Sequence, residues 1–303
     1  MNKIDIIIPT YNRTDYLERI LDYYSVSGKN FNFIIADSSR PENKANNKKL
    51  VRTYSRLNIL YVDKFSQSLS QHLKFAEMVK YAKSKYVCFC ADDDFIVPNG
   101  INSCIDFLEK HNDYSAAHGT YIGFHLYKNL LARKRFLWTF RYFNKSIASS
   151  SPIERLVSHL SDFTLVLWAV RRTDIVKTCY KEFSKTKIDP HLLIILGELL
   201  PDCLTAVYGK IKKLDTLYAA RQYFGSIAHD FASLIDAKHT GTYDQEYDKF
   251  KSCLINNLIK LDNTPRDKMG IMINSAMEVY NRFSYQEHIM NKVYFTLRHY
   301  PKF

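Results

Sequence analysis

The sequence predicts an α/β fold, in which a mostly parallel mixed sheet is flanked by helices and followed by a helical C-terminal region. Short runs of β-branched residues alternate with segments of helical spacing over residues 1–110, as in parallel strands joined by crossover helices. Three more strand-like runs and a helix follow up to residue 225. From residue 226 the apolar residues keep a helical spacing to the end of the chain.

The strands and helices of the first half follow one another in a regular order. Thr14 can cap a first helix, and a second helix is predicted from Ser68 to Lys83. Arg40 to Lys49 is polar and reads as a loop or as the start of an exposed helix. The predicted strands are Ile4–Ile8, Phe31–Ala36, Asn58–Val62 and Tyr86–Ala91. In the second half they are Ser115–Leu126, Phe163–Val170 and Ile211–Leu217, with a helix from His191 to Tyr208.

Three consecutive carboxylates, Asp92, Asp93 and Asp94, directly follow the fourth apolar strand. A strand with a continuous apolar run is buried on both faces. An unpaired carboxylate is costly to bury, so these three must reach water, a metal or a cation. The carboxyl ends of the strands are where open α/β sheets bind ligands. The triplet therefore marks a candidate site, and a solvated turn is the alternative interpretation.

Polar residues also follow the other predicted strands, and parallel strands bring such ends to one edge of the sheet. Pro9 to Arg13 follows the first strand, and Asp37 with Ser38 and Ser39 follows the second. Both segments could instead be simple turns. Asp189 and Glu198 are weaker candidates further along the chain.

The formal net charge of +12 favours an anionic partner, which could be nucleic acid, anionic lipid or a phosphorylated small molecule. The six cysteines contain no CxxC pair, which argues against a zinc cluster and suits a reducing compartment. No signal peptide is visible, and no apolar run approaches the length of a membrane span. These features predict a cytoplasmic protein.

Three segments carry a resemblance to a known family. Ile6 to Arg13, Phe33 to Ser39 and Cys90 to Pro98 together resemble the nucleotide-binding half of family 2 glycosyltransferases, which have the Rossmann-like GT-A fold. The resemblance covers about residues 3–110 well and 160–225 loosely. It implies a glycosyltransferase domain over residues 1–225, with a nucleotide-binding half (1–110) and an acceptor-side half (111–225). Residues 226–303 would form the helical C-terminal region.

The resemblance also implies roles for individual residues. Asp37 would bind the base, while Asp92 and Asp94 would bind a Mg²⁺ or Mn²⁺ ion. Asp92 and Asp93 are also candidates for the ribose, and Asp93 is an alternative ligand for the metal. A general base would be Glu198 or Asp189. The residues expected to line the nucleotide pocket are Pro9, Thr10, Tyr11 and Arg13.

The sequence departs from the family pattern at several positions. Ala91 and Ala36 stand where the family often has an aspartate. The family's Arg-Asn pair before the acidic strand is absent, and His72 or Lys74 could replace it. The downstream acidic motif has no clean match, which leaves Glu198, Asp189 and Asp202 as candidates for the base.

The implied function is inverting, metal-dependent transfer of a sugar from a nucleotide-sugar, most simply a UDP-sugar, to a hydroxyl of a glycan or lipid-linked acceptor in surface polysaccharide biosynthesis. A nucleotidyltransferase of related fold and a basic nucleic-acid-binding protein are the alternatives. Pro9 to Arg13 lacks the glycine-rich loop of the former, and no recognised motif supports the latter. Nucleic acid is therefore not an expected partner.

One basic and aromatic segment stands out in the second half. Residues 128–145 contain six basic residues, no acidic ones and several aromatic residues. Such a segment could stack on single-stranded nucleic acid, contact an anionic membrane surface, form a mobile flap over the acceptor, or be an ordinary amphipathic connector. The sugar-transfer motifs favour the flap or the membrane contact. A peripheral position at the inner face of the cell membrane is therefore a further expectation.

Overall fold

The computed structural model of the chain describes residues 3–28, 30–128, 134–141, 144–189, 193–222 and 243–299. The strands in these ranges are β1 (Ile4–Thr10), β2 (Asn32–Asp37), β3 (Asn58–Val62), β4 (Tyr86–Phe89), β5 (Phe95–Ile96), β6 (Tyr114–Lys128), β7 (Lys134–Arg141), β8 (Val170–Arg172) and β9 (Lys210–Gln222). The helices are α1 (Thr14–Ser27), α2 (Pro41–Thr53), α3 (Gln71–Met78), α4 (Pro98–Lys110), α5 (Pro152–Ser161), α6 (Thr173–Thr186), α7 (Leu193–Tyr208), α8 (Tyr243–Leu258) and α9 (Arg266–His299).

The strands form one mixed sheet in the order β3-β2-β1-β4-β8-β6-β9-β5, with β7 paired to β6. The four strands β3, β2, β1 and β4 run parallel, and their carboxyl ends therefore share one edge. Strand β8 runs antiparallel to both β4 and β6, whereas β6 and β9 are parallel. The predicted α/β class with a mixed sheet and flanking helices is confirmed.

The polar segment that begins at Arg40 is a helix rather than a loop. Pro41 occupies the first turn of α2, where its missing N–H costs no hydrogen bond. Helix α3 begins directly after Ser70, which caps it. The Ser70 hydroxyl accepts a hydrogen bond from the Leu73 backbone N–H at 3.3 Å. A short 3₁₀ turn, Val79–Tyr81, continues it towards β4.

The predicted strand from Phe163 to Val170 is wrong, because only Val170 belongs to β8. The Ala169 backbone N–H donates a 2.9 Å hydrogen bond to the Val166 carbonyl, which turns the chain back on itself before β8 begins. The residues of this segment are nevertheless buried, with Val166, Leu167 and Ala169 at most 1% exposed. An apolar run shows burial, but it does not distinguish a strand from a buried turn.

The C-terminal helices pack on the body of the protein. Residues of α8 and α9, among them Phe250, Leu254 and Ile273, belong to the same buried cluster as the sheet. The Asp262 carboxylate accepts hydrogen bonds from the Ser151 hydroxyl at 2.8 Å and the Ile153 backbone N–H at 3.2 Å, at the start of α5. The helical prediction is confirmed over residues 243–299, and residues 226–242 lie outside the described residues. In the described part of the chain, none of the helices is both long and apolar enough to cross a membrane.

Strands β6 and β7 pair as an antiparallel hairpin, from Ile122 opposite Arg141 to Lys128 opposite Lys134. Much of the basic and aromatic segment therefore lies in this hairpin. Residues 129–133 and 142–143 of the segment lie outside the described residues. Whether the hairpin meets a membrane or an acceptor stays a prediction.

Candidate active site

The acidic motif, Asp92 to Asp94, begins just beyond β4, at the edge of the sheet where β1 and β2 also end. The Cys90 backbone N–H donates to the Ile7 carbonyl at 2.9 Å, so the chain stays attached to β1 up to the motif. A bond from the Asp94 N–H to the Ala91 carbonyl at 3.1 Å then closes a tight turn. All three carboxylates are buried, with 3–5% of each residue exposed.

Arg13 binds two of the three carboxylates at once. Its Nη2 lies 2.7 Å from Asp93 Oδ2, and its Nη1 lies 3.1 Å from Asp92 Oδ1. The guanidinium also lies over the Tyr16 ring, 4.1 Å from its centroid. Burial lowers the pKa of Arg13, but Asp92 and Asp93 raise it more, so the net direction is upward. The predicted residue Arg13 is therefore part of the acidic cluster.

Thr10 lies at the end of β1 and contacts the same cluster. Its hydroxyl donates a 2.8 Å hydrogen bond to Asp92 Oδ2, and both side chains are buried. Burial raises the pKa of Asp92 to about 7, although Arg13 and the Thr10 bond oppose this rise. Asp92 therefore titrates close to neutral pH.

Asp94 joins the acidic motif to the end of β9. Its Oδ2 accepts a 3.0 Å bond from Arg221 Nε, and its Oδ1 accepts a 2.8 Å bond from the Gln222 backbone N–H. The Arg221 guanidinium lies over the Trp168 ring, 5.2 Å from its centroid. Burial raises the pKa of Asp94 to about 6, and Arg221 limits the rise. Both oxygens of Asp94 are thus engaged by the chain itself.

A buried lysine lies beneath this edge of the sheet. Lys74, on α3, donates to the Ser38 hydroxyl at 2.8 Å and to the Thr10 carbonyl at 3.3 Å. Burial lowers its pKa to about 8, while the nearby carboxylates of Asp92 and Asp37 raise it. Lys74, one of the two residues suggested as a replacement for the absent Arg-Asn pair, thus places a buried amine at this edge of the sheet. His72 is also buried, but burial lowers its pKa to about 4, so it is neutral.

Asp37 lies at the end of β2 and is fully buried. Its Oδ1 accepts a 2.7 Å bond from the Ser39 backbone N–H. Its Oδ2 accepts bonds from Asn47 Nδ2 at 2.7 Å and from the Tyr61 hydroxyl at 2.6 Å. Through Asn47 and Tyr61, the Asp37 carboxylate therefore holds α2 and β3 against β2. A contact between Asp37 and a nucleotide base stays a prediction.

The turn after β1 is shaped by Asn12, whose φ of 54° is tolerated by asparagine better than by most residues. Its Oδ1 accepts a 2.8 Å hydrogen bond from the Arg40 backbone N–H, which ties the turn to the start of α2. Tyr11 is half-buried in this turn, and Pro9 is buried in β1 opposite Ala36. The predicted pocket residues therefore surround the edge where β1 and β2 end.

Arg19, on α1, is a member of the cluster that the sequence analysis missed. Its Nη2 donates to the Asp93 carbonyl at 2.9 Å, and its Nη1 donates to Gln222 Oε1 at 2.7 Å. It lies over the same Tyr16 ring as Arg13. No motif in the sequence signals this role, because its partners are distant in the chain and one of them is a backbone carbonyl.

The two candidates for the general base lie on the second half of the chain. Glu198 is half-buried on α7, one helical turn before Asp202, and its negative charge helps to raise the pKa of Asp202. Burial is the main cause of that rise, to about 8, and Arg171 opposes it. The Asp189 backbone N–H donates a 2.8 Å bond to Glu246 of α8. The choice between Glu198 and Asp189 stays open.

The donor set of the acidic motif fits a particular kind of metal site. Within the described ranges, no three His, Cys, Asp or Glu side chains are arranged to hold a metal ion by themselves. Mg²⁺ and Mn²⁺ can instead be bound by one or two carboxylates together with substrate phosphates. Asp92 and Asp93 already share one cation through their carboxylate oxygens. The residues therefore fit a divalent cation that is shared with a bound phosphate group.

The mixed sheet and its flanking helices form a GT-A fold, and similar solved structures agree. A crystal structure of S. aureus TarS 1-349 in complex with UDP-GlcNAc matches with a TM-score of 0.65 at 16% identity, over 94% of this chain and 74% of that one. The UDP complex of TarS 1-349 matches with a TM-score of 0.59 at 15% identity, over 91% of this chain and 70% of that one. At these identities the likeness shows the fold alone.

The sequence itself defines the family. A model described as Glycosyl transferase family 2 matches residues 5–172, which is more than half of the chain. The chain therefore belongs to glycosyl transferase family 2, and the protein is a glycosyltransferase. This result agrees with the first prediction rather than with a nucleotidyltransferase or a nucleic-acid-binding protein. No curated protein sequence matches the chain significantly.

Proposed function

We propose that the protein transfers a sugar, with inversion at the anomeric carbon, from a nucleotide-sugar to a hydroxyl of a glycan or lipid-linked acceptor. The observation that carries the proposal is the acidic motif at the carboxyl ends of β1, β2 and β4, surrounded by Arg13, Lys74 and Arg221. A site that contains both carboxylates and partly or fully buried cations suits a metal-bound diphosphate. The UDP-GlcNAc and UDP complexes of the structurally similar TarS support a UDP-sugar as the first donor to test.

The charge that develops on the leaving diphosphate requires compensation. Arg13 and Arg221 are only partly exposed beside the carboxylates, with 17% and 25% of their side chains accessible. Guanidinium groups form charge-assisted bonds with phosphate oxygens. A bound Mg²⁺ or Mn²⁺ ion would supply Lewis-acid stabilisation of the same leaving group. Asp92 and Asp94 are its predicted ligands, with Asp93 as the alternative. Asp92 and Asp93 are the two carboxylates that one cation, the Arg13 guanidinium, already bridges, which favours this pair.

Inversion requires a single carboxylate base on the acceptor side. The acceptor oxygen attacks the anomeric carbon, its proton passes to the carboxylate, and the bond from that carbon to the diphosphate oxygen breaks. We propose Glu198 for this role, with Asp189 as the second candidate. Glu198 lies on α7 beside Gly197, a position where a Cβ would come within 3.1 Å of the His72 side chain. This close approach sets α7 directly against α3, which carries Lys74.

An anionic or lipid-linked acceptor in surface polysaccharide biosynthesis would suit the net charge of +12 and the basic segment at residues 128–145. We propose that this segment contacts the acceptor or an anionic membrane surface. Sedimentation of the protein with vesicles of neutral lipid or of roughly 30% anionic lipid tests the membrane contact. Binding to the anionic vesicles should weaken as salt is added, because at roughly 0.1 M salt charges further apart than about 10 Å are largely screened from one another.

The central experiment measures melting temperature with a panel of nucleoside diphosphates, each with and without Mn²⁺. We expect one diphosphate to raise the melting temperature, and Mn²⁺ to increase that shift, because a ligand that binds only the folded state stabilises it. A radiolabelled donor carrying the same nucleoside then reports transfer. The proposal fails if no nucleoside diphosphate changes the melting temperature and no donor is consumed.

A further inference from the structure

The Arg13 guanidinium bridges the carboxylates of two consecutive residues, Asp92 and Asp93. Its two terminal nitrogens bind Asp92 Oδ1 at 3.1 Å and Asp93 Oδ2 at 2.7 Å. The two aspartate side chains are 4% and 6% exposed, whereas that of Arg13 is 17% exposed. The cation is therefore the most accessible member of the group, and the Tyr16 ring supports it from one side.

This arrangement affects any divalent cation that would use the same oxygens. Carboxylate oxygens of Asp92 and Asp93 are the kind of ligand that Mg²⁺ and Mn²⁺ select. A metal that used Asp92 Oδ1 and Asp93 Oδ2 would have to displace the guanidinium that binds these two oxygens. A displaced Arg13 would then lose both of its carboxylate partners in a largely buried position, which is unfavourable. A metal ion alone is thus in competition with Arg13.

A nucleoside diphosphate changes the competition between Arg13 and the metal for the carboxylates. Its phosphate oxygens can accept charge-assisted hydrogen bonds from the Arg13 guanidinium, while the carboxylates of Asp92 and Asp93 bind the metal. We propose that Arg13 is an internal competitor for the divalent cation, so that the cation binds tightly only together with the nucleoside diphosphate. This inference rests on the proposed function for the identity of the second ligand. It assigns Arg13 as the residue that couples the two binding events.

The coupling has a thermodynamic consequence that can be measured from either side. If the diphosphate raises the affinity for the cation by some factor, the cation raises the affinity for the diphosphate by the same factor. Couplings of this kind are commonly about 5- to 150-fold. Removal of Arg13 should abolish most of this factor, because the cation site would then be open in the absence of nucleotide.

The first test uses Mn²⁺ alone, with the full chain and no nucleotide. Free Mn²⁺ is measured by electron paramagnetic resonance during titration of the wild type, Arg13→Gln and Arg52→Gln. We expect Arg13→Gln to bind Mn²⁺ about 5- to 150-fold more tightly than the wild type. Arg52→Gln is the control for the loss of one arginine charge, since Arg52 is exposed in the last turn of α2, at the opposite end of that helix from the edge where β2 ends. It should bind Mn²⁺ as the wild type does.

Two further measurements keep the test decisive if Arg13→Gln folds poorly. Arg13→Lys keeps the charge, but one ammonium group replaces the two-pronged contact, so an intermediate Mn²⁺ affinity is expected. Mn²⁺ should also raise the melting temperature of Arg13→Gln more than that of the wild type, because the ion replaces the missing cation between Asp92 and Asp93.

The second test compares Mn²⁺ affinity of the wild type with and without UDP, and then with GDP. Tighter Mn²⁺ binding in the presence of a diphosphate, lost in Arg13→Gln, supports the proposal. Equal or undetectable Mn²⁺ binding by the wild type and both Arg13 variants overturns it. A protein that binds no diphosphate contradicts the proposed function, yet the nucleotide-free comparison of the variants still decides the competition between Arg13 and the metal.

Discussion

Asp94 Oδ2 accepts a 3.0 Å hydrogen bond from Arg221 Nε, although 127 residues separate them in the chain. The backbone N–H of the next residue, Gln222, binds the other oxygen of the same carboxylate at 2.8 Å. The acidic motif after β4 and the end of β9 are therefore held by one side chain. Asp94 joins the two halves of the glycosyltransferase domain predicted from the sequence.

Replacement of Arg221 should show the strength of this junction. We expect Arg221→Met to lower the free energy of unfolding by about 2–4 kcal/mol, because a buried Asp94 carboxylate loses its charged partner. Urea denaturation measures this loss. In the Arg221→Met background, Asp94→Asn should cost much less than it does alone, since the unpaired charge is removed as well. Strictly additive losses would show that the two residues are not coupled.

The pKa of Asp92, raised by burial to about 7, predicts how stability depends on pH. Between about pH 4 and 7 the unfolded chain releases the Asp92 proton while the folded chain retains it. The free energy of unfolding should therefore fall as pH rises through this range, by up to about 4 kcal/mol for this group. Asp92→Asn should remove that component of the slope.

Denaturation of the wild type and of Asp92→Asn at about pH 4.5 and 7.5 provides the comparison. Asp63→Asn changes a carboxylate that is 42% exposed and paired with Lys48 on the surface, so it serves as the control. Parallel stability curves for the wild type and Asp92→Asn would contradict the expected effect of burial.

The hydroxyl of Thr10 should tune the ionisation of Asp92. Its 2.8 Å bond stabilises the carboxylate form, so Thr10→Val should raise the pKa of Asp92 further. We expect the acidic limb of the kcat/KM profile to move upward by about 0.5–1 pH unit, which corresponds to one ordinary hydrogen bond. Thr10→Ser keeps a hydroxyl and should leave the profile close to that of the wild type.

Lys74 should contribute to diphosphate binding through its charge. We expect Lys74→Met to weaken binding of the preferred nucleoside diphosphate by about tenfold or more, the range of a lost bond to a charged group. Isothermal titration measures this affinity. Lys48→Met is the control, because Lys48 pairs with Asp63 on the surface, where 54% of its side chain is exposed. Equal losses in both variants would point to a general charge effect rather than to Lys74.

The two candidates for the base make opposite predictions. If Glu198 accepts the acceptor proton, Glu198→Gln should lower kcat by about 10²- to 10⁴-fold with little change in KM for the donor. Asp189→Asn should then retain most of the activity. The reverse pattern assigns the role to Asp189. Similar small effects in both variants would exclude both residues and leave Asp202 to be tested.

The sequence predicts the first half of the fold well because its signals are local. Asn58–Val62 is the same in prediction and structure, since short β-branched runs between polar segments indicate strands. The run from Phe163 to Val170 was wrongly predicted to be a strand, because a buried turn and a buried strand can have the same apolar composition. The contacts of Arg19 and Gln222 could not be foreseen, since they depend on how distant segments meet. The residues after each strand, in contrast, could be placed at one edge from topology alone.

The junction at Asp94 also bears on how this protein could be recombined with its relatives. A chimera that exchanges residues 111–225 for those of another family member would receive a different end of β9. Unless the new segment supplied an arginine and a backbone N–H in the places of Arg221 and Gln222, Asp94 would be left buried without them. The acidic motif and the end of β9 should therefore come from the same parent, so an exchange made to change acceptor specificity should keep Asp94, Arg221 and Gln222 together.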